Sequence, residues 1–218
     1  MKKILTERQI ALLEKVGEQA FLSENFYLSG GTALAGFYLF HRYSEDLDFF
    51  SMNEVDPLQI NIFFKSIQNI LKIKKIDYQQ NYNRNLFFLH FSDEILKMEF
   101  TYYPFPRISE GPKKFGVVID SLLDIAVNKL FTIYQRCKAR DYIDLYCICK
   151  KDQLSICDLI KTAKIKFDWH IDPIQLGTQF VKATQAQDYP NMIERLDPKT
   201  WQDFFIEEAK KLAPNILK

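Results

Sequence analysis

The sequence predicts an α+β protein: a mixed α/β N-terminal half built on a sheet with flanking helices, followed by a C-terminal helical bundle. Three observations predict it. Segments rich in strand-forming residues occur up to residue 120 and none is convincing beyond it. After residue 120 the apolar residues recur at helical spacing. No flexible linker joins the halves, so the boundary between an α/β core at 1–120 and a helical domain at 121–218 is approximate. The 218 residues, 47% of them hydrophobic, suffice for one large domain or two small ones with a real core.

The elements follow in order. Residues 6–22 read as a helix, with Thr6 as N-cap, Gln9 completing a capping box, and a stripe of Ile10, Leu13, Val16, Gly17 and Ala20. Phe26-Tyr27-Leu28-Ser29 reads as a strand. Gly30-Gly31-Thr32 breaks it, and a helix follows with Ala33, Leu34, Phe37, Tyr38 and Phe40 as apolar positions. Ser44–Phe50 reads as a second strand. Asp56-Pro57 opens another helix, whose buried face is expected to be Leu58, Ile62, Phe63, Ile67 and Ile70. Between 73 and 103 the pattern gives a hairpin turning near Tyr82–Asn85, then a turn near Ser92-Asp93-Glu94 into a strand at Ile95–Tyr103. Pro104, Pro106, Gly111 and Pro112 mark a loop, and Val117–Ile119 one more short strand. Ser121–Gln135, Ala139–Lys150, 155–166, 173–186 and 198–213 read as helices, with Trp169 and Trp201 packing among them.

Composition narrows the function classes. A net charge of +1 argues against bulk electrostatic attraction to nucleic acid, while leaving room for a local basic patch. No uncharged apolar run reaches 18 residues, so no transmembrane helix is expected. The first five residues mimic a signal peptide, but Glu7, Arg8, Glu14 and Lys15 interrupt any apolar core region, and the protein reads as cytoplasmic. Cys137, Cys147, Cys149 and Cys157 form no CxxC pair and the histidines are His41, His90 and His170, which argues against zinc and for reduced thiols. There is no GxxxxGK[ST] loop, GxSxG elbow or HExxH pair.

The chemistry concentrates in Tyr27–Phe50. Glycines after a strand let backbone approach a ligand closely, and a helix N-terminus suits a phosphate. Asp46 and Asp48 alternate on one strand face, about 6–7 Å apart along the chain. Two such carboxylates repel unless a cation sits between them, and oxygen-only ligands suit magnesium together with substrate phosphates. Lys97-Met98-Glu99-Phe100-Thr101 offers a third carboxylate: with Met98 and Phe100 in the core, Glu99 faces the aspartates if the strands adjoin. A second charged cluster runs from Asp124 through Lys129 to Arg136, Lys138, Arg140, Asp141 and Asp144. Lys129 and Arg136 lie seven apart on one helical face, Arg140 and Asp144 can pair, and Asp141 and Asp144 share a face. Taken alone, GG before a helix is a common turn, DxD a common solvated pair, and such a charged helix a common solvated surface. Most of the aromatics around the motif, including Phe49, Phe50, Phe87, Phe88, Tyr102 and Tyr103, are better read as core than as a base-stacking platform.

In combination the motifs are more specific. Gly30-Gly31-Thr32-Ala33-Leu34 followed by His41-Arg42-Tyr43-Ser44-Glu45-Asp46-Leu47-Asp48-Phe49 resembles the first motif of the nucleotidyltransferase (polymerase beta-like) superfamily. It is most similar to the AbiEii/AbiGii toxin family, with its GG[TS]-x-L and HR-x-S-x-D-L-D-F. Lys129-Leu130 with Arg136-Cys-Lys138-Ala-Arg140-Asp141-Tyr-Ile-Asp144-Leu145-Tyr146 resembles that family's K-L-x-A…R-x-K-x-R-D-x-x-D-L-Y. Phe131-Thr132 and Cys137 are departures from it. The resemblance, over residues 25–150, implies transfer of a nucleoside monophosphate from an NTP to an acceptor. Asp46, Asp48 and Glu99 would hold two Mg²⁺, Gly30, Gly31 and Thr32 would bind phosphates, and Lys129 would grip the triphosphate. Arg136, Lys138 and Arg140 would serve nucleotide or acceptor, and Asp141 or Asp144 would orient these cations or act as base. Ser44 would bond a phosphate or cap the Asp46 region, Arg42 would pair Glu45 or a phosphate, and His41 reads as structural. Family members act as toxins in toxin–antitoxin or abortive-infection systems, some on the acceptor end of tRNA, so a cognate antitoxin and an RNA acceptor are expected partners. Alternatives are a small-molecule (antibiotic-type) nucleotidyltransferase and a non-catalytic partner-binding member.

Overall fold

The computed structural model describes residues 4–212. Met1–Lys3, part of the signal-like start, and Ala213, the expected end of the last helix, lie outside the described residues. The chain divides into two compact units. The first takes the chain up to Phe40, Ser44–Pro106 and Glu110–Ser121; the second takes His41–Tyr43, Arg107–Ser109 and the chain from Leu122.

The first unit is a seven-stranded mixed sheet with helices. Its helices are α1 (Glu7–Glu18), α2 (Ala20–Asn25), α3 (Gly30–Leu34) and α4 (Pro57–Ile67). Its strands are β1 (Tyr27–Ser29), β2 (Leu47–Ser51), β3 (Lys75–Asn81), β4 (Arg84–His90), β5 (Ile95–Tyr102), β6 (Lys113–Lys114) and β7 (Val117–Ile119). The strand order is β3-β4-β5-β2-β1-β7-β6. The β2–β5 and β1–β7 pairs are parallel, and the others are antiparallel.

Period-2 alternation divides the sheet into two faces. Leu28, Leu47, Phe49, Phe87, Leu89, Met98 and Phe100 are buried on the core face. There the aromatic rings pack directly: Phe49 stacks on Phe100 at 5.1 Å, and Phe64 from α4 meets Phe87 at 4.9 Å.

The expected capping box at Thr6 and Gln9 is present, but the helix expected over 6–22 is broken. Gly17 lies against the backbone of Phe115 and Gly116, where a Cβ would fall 1.9 Å from the Phe115 carbonyl oxygen. Two residues later Gln19 turns to an extended conformation, and α2 begins anew with Leu22 fully buried. The buried stripe of α1 is Gln9, Leu12, Leu13 and Val16, with Ala20 exposed.

Asp56 caps α4 and Pro57 opens it, as expected, but the helix is rotated from the expected phase. Ile60, Phe63, Phe64 and Ile67 are buried at i, i+3, i+4, i+7, whereas Leu58 and Ile62 lie exposed and Ile70 falls beyond the helix end. The β3–β4 hairpin closes through Tyr82 and Asn83, with Tyr82 at φ 52°. Beside the expected β7, the short strand β6 was missed by the sequence reading.

The second unit contains α5 (Leu122–Gln135), α6 (Ala139–Asp152), α7 (Ile156–Phe167), α8 (Pro173–Val181) and α9 (Pro198–Leu212). Asp172 caps α8, which gives way to a 3₁₀ turn at Lys182–Gln185 rather than continuing to 186. Tyr142, Phe180, Trp201 and Phe205 form its aromatic centre. Trp169, expected to pack there as well, is 56% exposed. Segment His41–Tyr43 is tied into this unit by the bridge of Arg42 to Met192. Among the described residues no helix is long and apolar enough to cross a membrane.

Candidate active site

The polar face of the first unit's sheet carries the aspartates. β1 ends at Ser29, and Gly30 makes the turn into α3 at φ 72°, a region open to glycine and strained for other residues. A Cβ on Gly30 would fall 2.6 Å from Asp48 Oδ2, so the glycine leaves room for that carboxylate against the turn. Ser29 gives its hydroxyl to Asp120 (2.7 Å) rather than capping α3. A π-helical turn at Ala35–Leu39 follows, ending at left-handed Phe40, where the sequence suggested one uninterrupted helix.

Thr32 fastens the two halves of the motif. Its hydroxyl bonds the Asp46 carbonyl and lies 2.8 Å from the Ser44 hydroxyl. Buried Gln9 adds bonds from its side-chain amide to the Ser44 and Glu45 carbonyls (2.9 and 3.1 Å). The Ser44 hydroxyl meets Thr32, and it is Thr32 rather than Ser44 that bonds the Asp46 carbonyl. Asp46 precedes β2 directly and Asp48 lies within it, with Leu47 and Phe49 buried between and beyond them.

In the parallel β2–β5 register Asp48 stands opposite Glu99, with Met98 and Phe100 buried as expected. The strand geometry therefore brings Asp46, Asp48 and Glu99 to one face. Two cations that the sequence reading missed also lie there. Arg84, at the start of β4, holds Glu99 with two hydrogen bonds of 2.5 and 2.6 Å. Lys97 Nζ is 2.8 Å from Asp46 Oδ2 and 3.8 Å from Glu99 Oε2. Lys97 was legible in principle, as the alternate neighbour of Glu99. Arg84 was not, because only the non-local β4–β5 pairing delivers it.

Burial pushes the Glu99 carboxyl up, but Arg84, the Thr101 hydroxyl and Lys97 outweigh it and leave the group below its ordinary value. The hydrogen bonds to Glu99 raise the Arg84 guanidinium, and the charges of Asp48 and Asp46 add to the effect. Among the described residues no three His, Cys, Asp or Glu side chains converge tightly enough to cage a metal on their own. Of the surrounding aromatics, Phe49 and Phe87 are core, whereas Phe50, Phe88, Tyr102 and Tyr103 are partly exposed.

The second unit holds a buried ionic network centred on two aspartates of α6. Lys129 Nζ is 2.7 Å from Asp141 Oδ1 and 2.7 Å from Asp144 Oδ2. Arg42 grips Asp144 with Nε and Nη2 at 2.7 and 2.8 Å, and His41 Nε2 lies 2.9 Å from the same carboxylate. Arg136 reaches Asp141 at 3.1–3.2 Å. Asp144 is fully buried, and Asp141, Arg42 and Lys129 nearly so.

Burial pushes Asp144 up, but Lys129, Arg42 and His41 hold it well below the usual carboxylate range. Asp141 is lowered likewise, chiefly by Lys129 and Arg136 against its burial. Asp141 and Asp144 share one face of α6 as expected, whereas Arg136 falls in the loop after α5 rather than on a helical face with Lys129, and it is the packing of α5 on α6 that brings Lys129 to both aspartates. Arg42 bonds Asp144, and Asp144 takes Arg42, Lys129 and His41, while Arg140 is exposed. Lys138 is exposed, 3.7 Å from Asp188. Asp124 is buried against Lys166 at 2.6 Å and accepts the Ile108 and Ser109 amides, a structural role.

The family described as nucleotidyl transferase AbiEii toxin, type IV toxin–antitoxin system, matches residues 11–207. An uncharacterized protein of Aquifex aeolicus (strain VF5) is 33% identical over 220 residues, covering 99% of this chain and all of that protein. A putative nucleotidyltransferase from H. pylori has a similar fold, with a TM-score of 0.59 and 21% identity over 97% of both chains. MenT4, a nucleotidyltransferase toxin from Mycobacterium tuberculosis H37Rv, has a TM-score of 0.54 and 13% identity over 94% of this chain and 84% of that one. At such identities the structural likenesses establish the fold.

Proposed function

Because the chain belongs to the AbiEii family of nucleotidyltransferase toxins, we propose that this nucleotidyltransferase moves a nucleoside monophosphate from an NTP onto RNA, in particular tRNA. It uses Mg²⁺ and acts in the cytoplasm as the toxin of a toxin–antitoxin or abortive-infection pair, restrained by a cognate antitoxin. The observation that carries the reading is the aspartate pair: Asp46 immediately before β2 and Asp48 within it, with Asp48 against the Gly30 turn and in register with Glu99.

The donor set fits a hard divalent cation. It is all oxygen, and magnesium takes one or two protein carboxylates together with substrate phosphates. Asp46 and Asp48 are the pair that would hold it. Glu99 would be a third ligand completing a two-ion site, in competition with Arg84, which already donates two hydrogen bonds to it. When bound, the metal supplies charge neutralisation and Lewis-acid polarisation at the phosphoryl oxygens.

The chain's own residues do the rest. Gly30, Gly31 and Thr32 let backbone approach the phosphates, while Thr32 and Gln9 fix the backbone that presents Asp46. From the family motif, Lys129 is assigned to the triphosphate, and Arg136, Lys138 and Arg140 to nucleotide or acceptor charge. The ion pairs of Asp141 and Asp144 with Lys129 support an orienting role for both rather than that of a base. Arg42 and His41 complete the same buried anchor.

The test is incubation of the purified protein with Mg²⁺, each labelled NTP in turn and total RNA, beside an Asp48→Asn control. Label in a tRNA-sized band, absent from the control, is the expected result. Label confined to protein or small molecules would overturn the RNA acceptor.

A further inference from the structure

Lys97 occupies a place on the aspartate face that the reading above leaves unexplained. The β2–β5 register sets Leu47 opposite Met98, which brings the preceding residues, Asp46 and Lys97, side by side. The ammonium is 2.8 Å from Asp46 Oδ2, and the Lys97 side chain is only 22% exposed, lying along the sheet rather than in open solvent. The neighbouring cation behaves differently. Arg84 is locked to Glu99 by two parallel hydrogen bonds, and Glu99 is further held by Thr101 at 2.9 Å. Lys97 makes one short ion pair through a flexible four-carbon stem.

An ammonium and a divalent cation compete for the same Asp46 oxygen and repel one another at that distance. We propose that Lys97 is a built-in counter-ion of the aspartate pair, displaced from Asp46 when a divalent cation binds and then available to the phosphates that the cation brings. The sheet keeps its carboxylates neutralised without metal, and the lysine becomes a nucleotide-binding group once the metal has taken its place. The exchange at Asp46 does not involve the Arg84–Glu99 pair. The proposal rests on the reading of Asp46 and Asp48 as metal ligands.

The test is titration of the full-length protein with Mn²⁺ in the absence of nucleotide, followed by electron paramagnetic resonance. Lys97→Met and Lys97→Gln are expected to bind Mn²⁺ about tenfold more tightly than wild type, because one repelling charge is gone. Lys97→Arg is expected to bind like wild type, and Asp46→Asn more weakly. Equal or weaker binding by Lys97→Met and Lys97→Gln, with wild type binding normally, overturns the proposal and leaves the metal site standing. No Mn²⁺ binding by any form, with or without a non-hydrolysable NTP analogue, removes the metal reading and the proposal with it. In the unmutated protein the exchange is read from the NMR signal of ¹³C-methylated Lys97. That signal is expected to move on Mg²⁺ addition; a stationary signal at saturating Mg²⁺ overturns the proposal independently of any variant.

Discussion

Asp144 shows how a single residue can be both buried and charged. Desolvation opposes its ionisation, yet three donors surround it, and the net effect is a carboxyl far more acidic than in water. Replacing it with asparagine leaves Arg42 and Lys129 buried beside a neutral amide. Asp144→Asn is therefore expected to lower stability by about 3–5 kcal/mol, the usual cost of removing one partner of a buried ion pair. The pH dependence gives a sharper check. A carboxyl depressed in the folded state contributes stability that is fully present above its unfolded value of 3.8 and is lost as pH falls through the folded value. The melting-temperature gap between wild type and Asp144→Asn should stay constant from neutral pH down to that value and narrow only below it. A gap that already closes at pH 6 would show that the carboxylate does not carry the network. Lys129→Ala removes the cation common to both aspartates, so its expected loss of NTP affinity must be read beside its melting temperature.

At the scale of the element, β1, the Gly30 turn and β2 act together. Gly30 combines positive φ with close approach to Asp48, so Gly30→Ala meets both a strained backbone and a collision at 2.6 Å. A loss of about 1–3 kcal/mol is expected, accompanied by loss of transfer activity because Asp48 is pushed aside. Full activity in Gly30→Ala would show that this contact does not position Asp48. Helix α4 tests the packing. Ile60→Ala should cost about 2–5 kcal/mol, as truncations in a close-packed core do, whereas Leu58→Ala, on the exposed face, should stay within about 0.5 kcal/mol. Denaturant titration of the two variants checks the rotation of the helix directly. Comparable losses would restore the phase expected from sequence.

Across the whole molecule, what was legible in the sequence was what local periodicity encodes. Asp46 and Asp48 could be placed on one face because a strand alternates regardless of its neighbours, whereas Glu99 joins them only through the β2–β5 pairing. Asp141 and Asp144 could be placed on one face from helical spacing, but their meeting with Lys129 depends on how α5 packs on α6. The rest depends on pairings the chain makes at long range. Arg42 meets Asp144 across 102 positions, and Arg84 meets Glu99 only through strand pairing. The phase of α4 was misread because both of its faces carry apolar residues, so spacing alone could not choose the buried one. The break at Gln19 follows Gly17 meeting a backbone nearly a hundred residues away.

The central claim is that Asp46 and Asp48 serve transfer of a nucleotide rather than a phosphate. It is tested most directly by supplying the same NTP labelled at the α- or the γ-phosphorus, with Mg²⁺ and RNA, to wild type, Asp46→Asn and Asp48→Asn of matched melting temperature. The account predicts α-label on the acceptor, γ-label released as pyrophosphate, and a fall of about a hundredfold or more in both variants, since several kcal/mol of charge stabilisation are lost. γ-Label on the acceptor, or undiminished transfer by both variants, would contradict it.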